Sequence, residues 1–154
     1  MRIPRGVWGL VKETARHLLR RPVVGLVALA RVPDGRIVLI RRGDSGGWAL
    51  PGGTLEWGET LRDSLARELK EEAGVELLEA GELLAVYSAP WRDPRFHAVT
   101  VVVGAKVTLP VQAQANALEI LEVKLFPDDA LPAELSHGMT DVLARARAGE
   151  RHWE

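Results

Sequence analysis

The stretch GTLEWGETLRDSLARELKEEAGV, residues 53–75, decides how this chain is read. It carries five glutamates, Glu56, Glu59, Glu68, Glu71 and Glu72, with glycines at both ends. Its centre predicts a helix over 60–73. Thr60 and Asp63 form a capping box. Leu61, Leu65 and Leu69, with Ala66 and Ala73, form an apolar stripe. Gly74 is a natural C-cap. At helical periodicity Glu68, Glu71 and Glu72 fall within an arc of roughly 100°. That arc borders the face holding Leu65 and Leu69, so the acids flank the core.

Like charges in that position repel at a cost unless a cation neutralises them. Lys70 and Arg62 point elsewhere, and Arg67 can steady one carboxylate but not all three. A divalent ion is the economical partner, and an all-oxygen ligand set favours Mg²⁺ or Mn²⁺. Pro51-Gly52-Gly53 adds a tight turn whose backbone can approach a metal or a phosphate. Together these suggest metal-assisted hydrolysis of a phosphate anhydride. A solvated charged helix is the plain alternative on charge alone.

The whole chain limits the setting. Its 154 residues suit one domain with one core. A net charge of −1 supplies no field for nucleic acid or an acidic membrane. With no cysteine there are no disulfides and no thiolate metal sites, which fits a cytoplasmic protein. Arg20-Arg21-Pro22 followed by VVGLVALA imitates an export signal, but the run is short and holds Gly25, so it reads as a buried strand. No run approaches the ~20 apolar residues of a membrane helix.

Residues 1–22 read as a basic arm with an amphipathic helix from Trp8, and 23–154 as the main domain. The arm is expected to pack on its own domain or to form a homodimer contact. Residues 23–32 and 37–42 predict a hairpin across the turn 33–36. Further strands are expected over 83–89, 97–109 and 118–126, a looser segment over 110–117, and a closing helix over 133–147.

Residues 53–75 also resemble a Nudix box: a glycine, five residues, Glu, seven residues, then Arg-Glu-apolar-x-Glu-Glu-x-Gly-apolar. Gly53, Glu59, Arg67, Glu68, Leu69, Glu71, Glu72, Gly74 and Val75 fill every fixed position. The resemblance extends from the hairpin to EVKLFPDDALP, 122–132. It implies an α/β/α sandwich with a mixed sheet, and hydrolysis of a nucleoside diphosphate linked to another moiety with Mg²⁺ or Mn²⁺. It implies that Glu68, Glu71 and Glu72 are metal ligands, helped by a backbone carbonyl at Gly52 or Gly53. Arg67 would orient a carboxylate, and Glu59 would brace the loop. The general base is a box glutamate such as Glu72, or a later loop acid, for which Glu119 is the candidate. Domains of this kind that bind nucleotides without cleaving them often lose box glutamates, whereas this chain keeps them all.

The box does not fix the substrate, and SAPWRDPRFH, 88–97, is the main clue to it. Arg92 and Arg95 can hold phosphate oxygens, Trp91 or Phe96 can stack on a base, and His97 can hydrogen-bond. Asp-Pro-Arg followed by His resembles members that cleave ADP-ribose and nucleotide sugars, as does a proline fifteen residues beyond the box, here Pro90. Arg41 and Arg42 end a strand near the box and can reach a distal phosphate, Trp48 can wall the pocket, and Trp57 in the box loop can border the sugar side. His137 reads as a capping or surface residue. A small nucleotide, a nucleoside diphosphate sugar or ADP-ribose, is therefore the expected substrate. Clean-up of nucleoside triphosphates is the alternative, and the lack of an extended basic surface speaks against nucleic acid.

Overall fold

The computed structural model describes residues 21–111 and 118–154. Most of the predicted N-terminal helix and residues 112–117 of the 110–117 segment lie outside the described residues.

In chain order the elements are β1 (Val23–Arg31), β2 (Ile37–Arg42), β3 (Trp48–Ala49), β4 (Gly52–Thr54), α1 (Leu61–Ala73), β5 (Leu77–Tyr87), β6 (Ala98–Val107), β7 (Ile120–Phe126), α2 (Met139–Arg147) and β8 (His152–Trp153). The strands form one mixed sheet in the order β3-β2-β1-β6-β5-β8, with β4 also paired to β1 and β7 to β2. The β1–β6 and β5–β8 pairs are parallel and the rest antiparallel.

Successive side chains of a strand point to opposite faces, and β1 buries both. Leu26, Ala28 and Ala30 join Leu65, Leu69 and Ala73 of α1 in one core cluster. Val27 and Leu29 join Val142, Leu143 and Ala146 of α2 in the other. A helix thus covers each side of the sheet, giving the expected α/β/α sandwich. The export-like run is this two-sided strand, which explains why it lacks the alternation of a half-exposed one.

Helix α1 is built as its sequence implies. The Thr60 side chain accepts a hydrogen bond from the Asp63 backbone N–H. Gly74 ends the helix in the left-handed region at φ 63°. Its N–H donates to the Lys70 carbonyl, the bond of an αL cap, while that of Val75 reaches back to Leu69. Leu69 is fully buried, so Leu69→Ala would loosen the helix at a cost of about 2–5 kcal/mol.

Three boundaries differ from the sequence reading. The hairpin is brief: β1 and β2 pair at Arg31 and Ile37, whereas β2 pairs with β7 from Ile37 to Arg42. Strand β5 begins at Leu77 rather than 83, because register shifts between Ala80 and Ala85 interrupt its alternation. Helix α2 begins at Met139, because His137 at φ 55° and Gly138 at φ 66° form a left-handed break before it.

Candidate active site

Helix α1 sets the depth of each box carboxylate. At about 100° per residue, Glu72 lies closest to the leucine stripe, then Glu68, then Glu71. Burial follows that order. Glu68 and Glu72 are 9% and 8% exposed, whereas the Glu71 side chain is half exposed. The expected set of three therefore divides into a buried pair and an outer member.

Strand β4 lies against that pair. The Gly52 N–H donates to Glu72 Oε2 at 2.9 Å. A Cβ on Gly53 would fall on the Glu68 carboxylate, and one on Gly52 would strike the Leu26 carbonyl and Val27 of β1. The two glycines let the strand approach both the acids and its neighbour.

Arg67 gathers the other carboxylates. Its Nε and Nη2 donate to the two oxygens of Glu59 at 2.8 and 3.0 Å. Its Nη1 reaches Glu68 at 2.9 Å and Glu71 at 3.3 Å, and Nη2 also donates to the Thr54 carbonyl at 3.2 Å. Glu59 in turn accepts from the Glu56 N–H at 3.1 Å. One planar guanidinium thus ties the loop before α1 to two residues of the helix, a task the single ammonium of lysine cannot perform. The same guanidinium holds the Glu59 carboxyl well below its ordinary range, at about 2.

Burial pushes Glu72 up from an ordinary 4.5 to about 7; the Gly52 N–H opposes this, while the charges of Glu68 and Glu119 add to it. Burial also raises Glu68, against the pull of Arg67. Both acids are thus costly to ionise as they stand.

They open onto a cavity of about 310 Å³, whose lining includes Arg42, Gly52, Gly53, Glu119, Arg95 and His137. Among the described residues, no three His, Asp or Glu side chains converge closely enough to enclose a metal by themselves. The donors do suit a hard cation at an open site. They are two buried carboxylates with an unfavourable charge beside close-packed glycine backbone. Such an ion would complete its shell with substrate oxygens.

The substrate-facing residues differ from expectation. Arg95 and Phe96 line the cavity, but Arg41, Trp48, Arg92 and His97 do not. Arg41 is exposed, with Nε bonded to the Gly46 carbonyl at 3.2 Å. Its neighbour Arg42 takes the cavity side, 3.7 Å from Glu72 and bonded to Asp44 at 2.9 Å. Adjacent strand residues face opposite ways: Arg42 continues the row of Val38 and Ile40, which pack with α1, and Arg41 the row of Ile37 and Leu39, which pack with α2. Trp48 packs edge-on against Phe126 at 5.0 Å. Arg92 makes two bonds to Asp141, at 3.1 and 2.9 Å, and one to Glu154 at 2.7 Å. His97 Nε2 lies 2.9 Å from the Ser88 carbonyl. Trp57 is fully exposed.

His137 departs furthest from its sequence reading. Its side chain is 10% exposed, it lines the cavity, and its left-handed backbone is uncommon for a residue other than glycine. Only the run Ser136-His137-Gly138 before a helix signalled a turn there.

The sequence model of the NUDIX domain matches residues 19–146. This chain belongs to the Nudix family. Over 72 residues it is 46% identical to the ADP-ribose pyrophosphatase of Methanocaldococcus jannaschii, covering 45% of this chain and 42% of that one. Over 114 residues it is 36% identical to the human 8-oxo-dGDP phosphatase NUDT18, covering 70% of this chain and 33% of that one. The matches thus span less than half the length of these two Nudix relatives. A solved MutT Nudix hydrolase from Burkholderia pseudomallei superposes with a TM-score of 0.69 at 32% identity, covering 82% of this chain and 98% of that one.

Proposed function

We propose that this Nudix protein is a metal-dependent pyrophosphohydrolase. It would cleave the diphosphate of a nucleoside diphosphate linked to a sugar, ADP-ribose included. The observation that carries this reading is the buried pair Glu68 and Glu72, packed on Gly52 and Gly53 at the floor of a cavity. Such a pair is unfavourable without a cation, and the cavity brings Arg42 and Arg95 to the same place.

Glu68 and Glu72 would hold Mg²⁺ or Mn²⁺, with backbone oxygen at Gly52 or Gly53, and Glu71 would join from the outer side. The ion would offset negative charge developing on the phosphate oxygens. Arg67 keeps Glu68 in place and restrains the loop through Glu59. Arg42 and Arg95 supply positive charge along the cavity wall. Glu119, exposed at the rim, would take the proton from the attacking water. The water oxygen bonds to one phosphorus, the bridging P–O bond breaks, and the bridging oxygen leaves on the other phosphate. The products are a nucleoside monophosphate and the phosphorylated second moiety.

The 46% identity to an ADP-ribose pyrophosphatase supports the substrate class. A second reading, hydrolysis of nucleoside di- or triphosphates, draws on the likeness to the 8-oxo-dGDP phosphatase. A panel of ADP-ribose, GDP-mannose, UDP-glucose and nucleoside triphosphates, scored by product identity in Mg²⁺, separates them. The first reading expects a nucleoside monophosphate and a sugar phosphate. Turnover of triphosphates alone would overturn it.

A further inference from the structure

A second, smaller chamber of about 50 Å³ adjoins the main cavity. The two share six lining residues: Val27, Asp93, Ala98, Thr100, His137 and Met139. Tyr87 and His137 both line this chamber. Among the described residues, the Tyr87 hydroxyl and His137 Nε2 are the buried side-chain polar atoms without a hydrogen-bond partner; Nε2 lies 3.6 Å from Asp44 Oδ1, beyond hydrogen-bond length. Leaving such a group unpaired costs its full desolvation penalty. A backbone in a sparsely populated region is a further cost, and such residues cluster at ligand sites. His137 carries both features on one chamber wall.

We infer that this chamber is a subsite for a hydroxyl-bearing arm of the moiety beyond the diphosphate, held by the Tyr87 hydroxyl and the His137 imidazole. The inference rests on the hydrolase reading of the larger cavity. Size limits the occupant. At about 50 Å³ against 310 Å³ for the main cavity, the chamber admits one arm of a substrate rather than the whole of it. Charge limits it too. Arg92, the arginine on the chamber wall, is spent on Asp141 and Glu154 at 2.9 and 2.7 Å. Those pairs leave the wall without a spare cation for another phosphate. A neutral hydroxyl can donate to one orphaned atom and accept from the other.

Tyr87→Phe and His137→Asn test this. The first keeps the ring over which Arg92 stacks at 4.1 Å. The second tolerates a left-handed backbone but is too short to replace Nε2. Each variant and the wild type would be assayed on ADP-ribose and on ATP, with Tm measured alongside. The expected result is a KM for ADP-ribose raised about five- to tenfold, as for one lost hydrogen bond, with a smaller change in kcat. The ratio of kcat/KM for ADP-ribose to that for ATP falls, and the Tm of Tyr87→Phe holds. An unchanged ratio in both variants would overturn the subsite. A lowered Tm for Tyr87→Phe with that ratio unchanged would mean that the chamber houses structural water only. Wild-type protein that cleaves neither compound nor any nucleotide sugar would instead defeat the hydrolase reading.

Discussion

The Glu68 carboxylate occupies the space that a Cβ on residue 53 would need. Gly53 is thus part of the carboxylate's seat as well as part of a turn. The obstruction is the far end of a flexible side chain, so Gly53→Ala should fold and displace Glu68. A displacement of about 1 Å at a reacting centre costs on the order of 10²-fold in rate. Gly52→Ala differs, because its Cβ meets the backbone of Leu26 and Val27. It should unseat β4 and lower Tm by several degrees. Comparing kcat and Tm for the two variants checks the distinction, and equal loss of Tm would contradict it.

Glu72 should make the metal-free protein sensitive to pH. Its folded value of about 7 lies above the ordinary 4.5, so between those values the folded state binds more protons than the unfolded. Stability from this group is therefore full below about 4.5 and declines as pH rises toward 7, by ~3 kcal/mol in total. Chemical denaturation in EDTA across that window should show the decline. Glu72→Gln should flatten it, and Mg²⁺ should offset it in the wild type by binding the ionised acid.

The choice between adjacent arginines is also testable. Arg42 faces the cavity beside Glu72, whereas Arg41 is bonded to the Gly46 carbonyl on the outside. Arg42→Gln should raise KM about tenfold or more, the range for a lost charge-assisted hydrogen bond. Arg41→Gln should stay within about twofold. Steady-state kinetics on the best substrate decide this, and the reverse order would restore Arg41 as the ligand.

Much of the site was legible because its information is local. Thr60, the leucine stripe and Gly74 specify α1, and helical periodicity then places Glu68 and Glu72 beside the core. The same periodicity implied that Glu71 lies further out, although three acids on one arc looked equivalent in sequence. What escaped depends on distant partners. Arg42 rather than Arg41 enters because α1 covers the face of β2 that holds Val38 and Ile40. Arg92 is absorbed by Asp141 and Glu154, far along the chain. His137 is buried because the turn before α2 folds against the loop carrying Asp93. Strand β8 has two residues and pairs only with β5, too little to give a pattern.

The central claim is that Glu68 and Glu72 form the metal-dependent centre of a diphosphate hydrolase. Its most direct test is single-turnover analysis of ADP-ribose with wild type and Glu72→Gln, in Mg²⁺ and in EDTA. AMP and ribose 5-phosphate are expected from wild type in Mg²⁺ only. Glu72→Gln should show a rate reduced by orders of magnitude, with the circular dichroism of a folded protein. Cleavage by Glu72→Gln near the wild-type rate, or undiminished cleavage in EDTA, would contradict it.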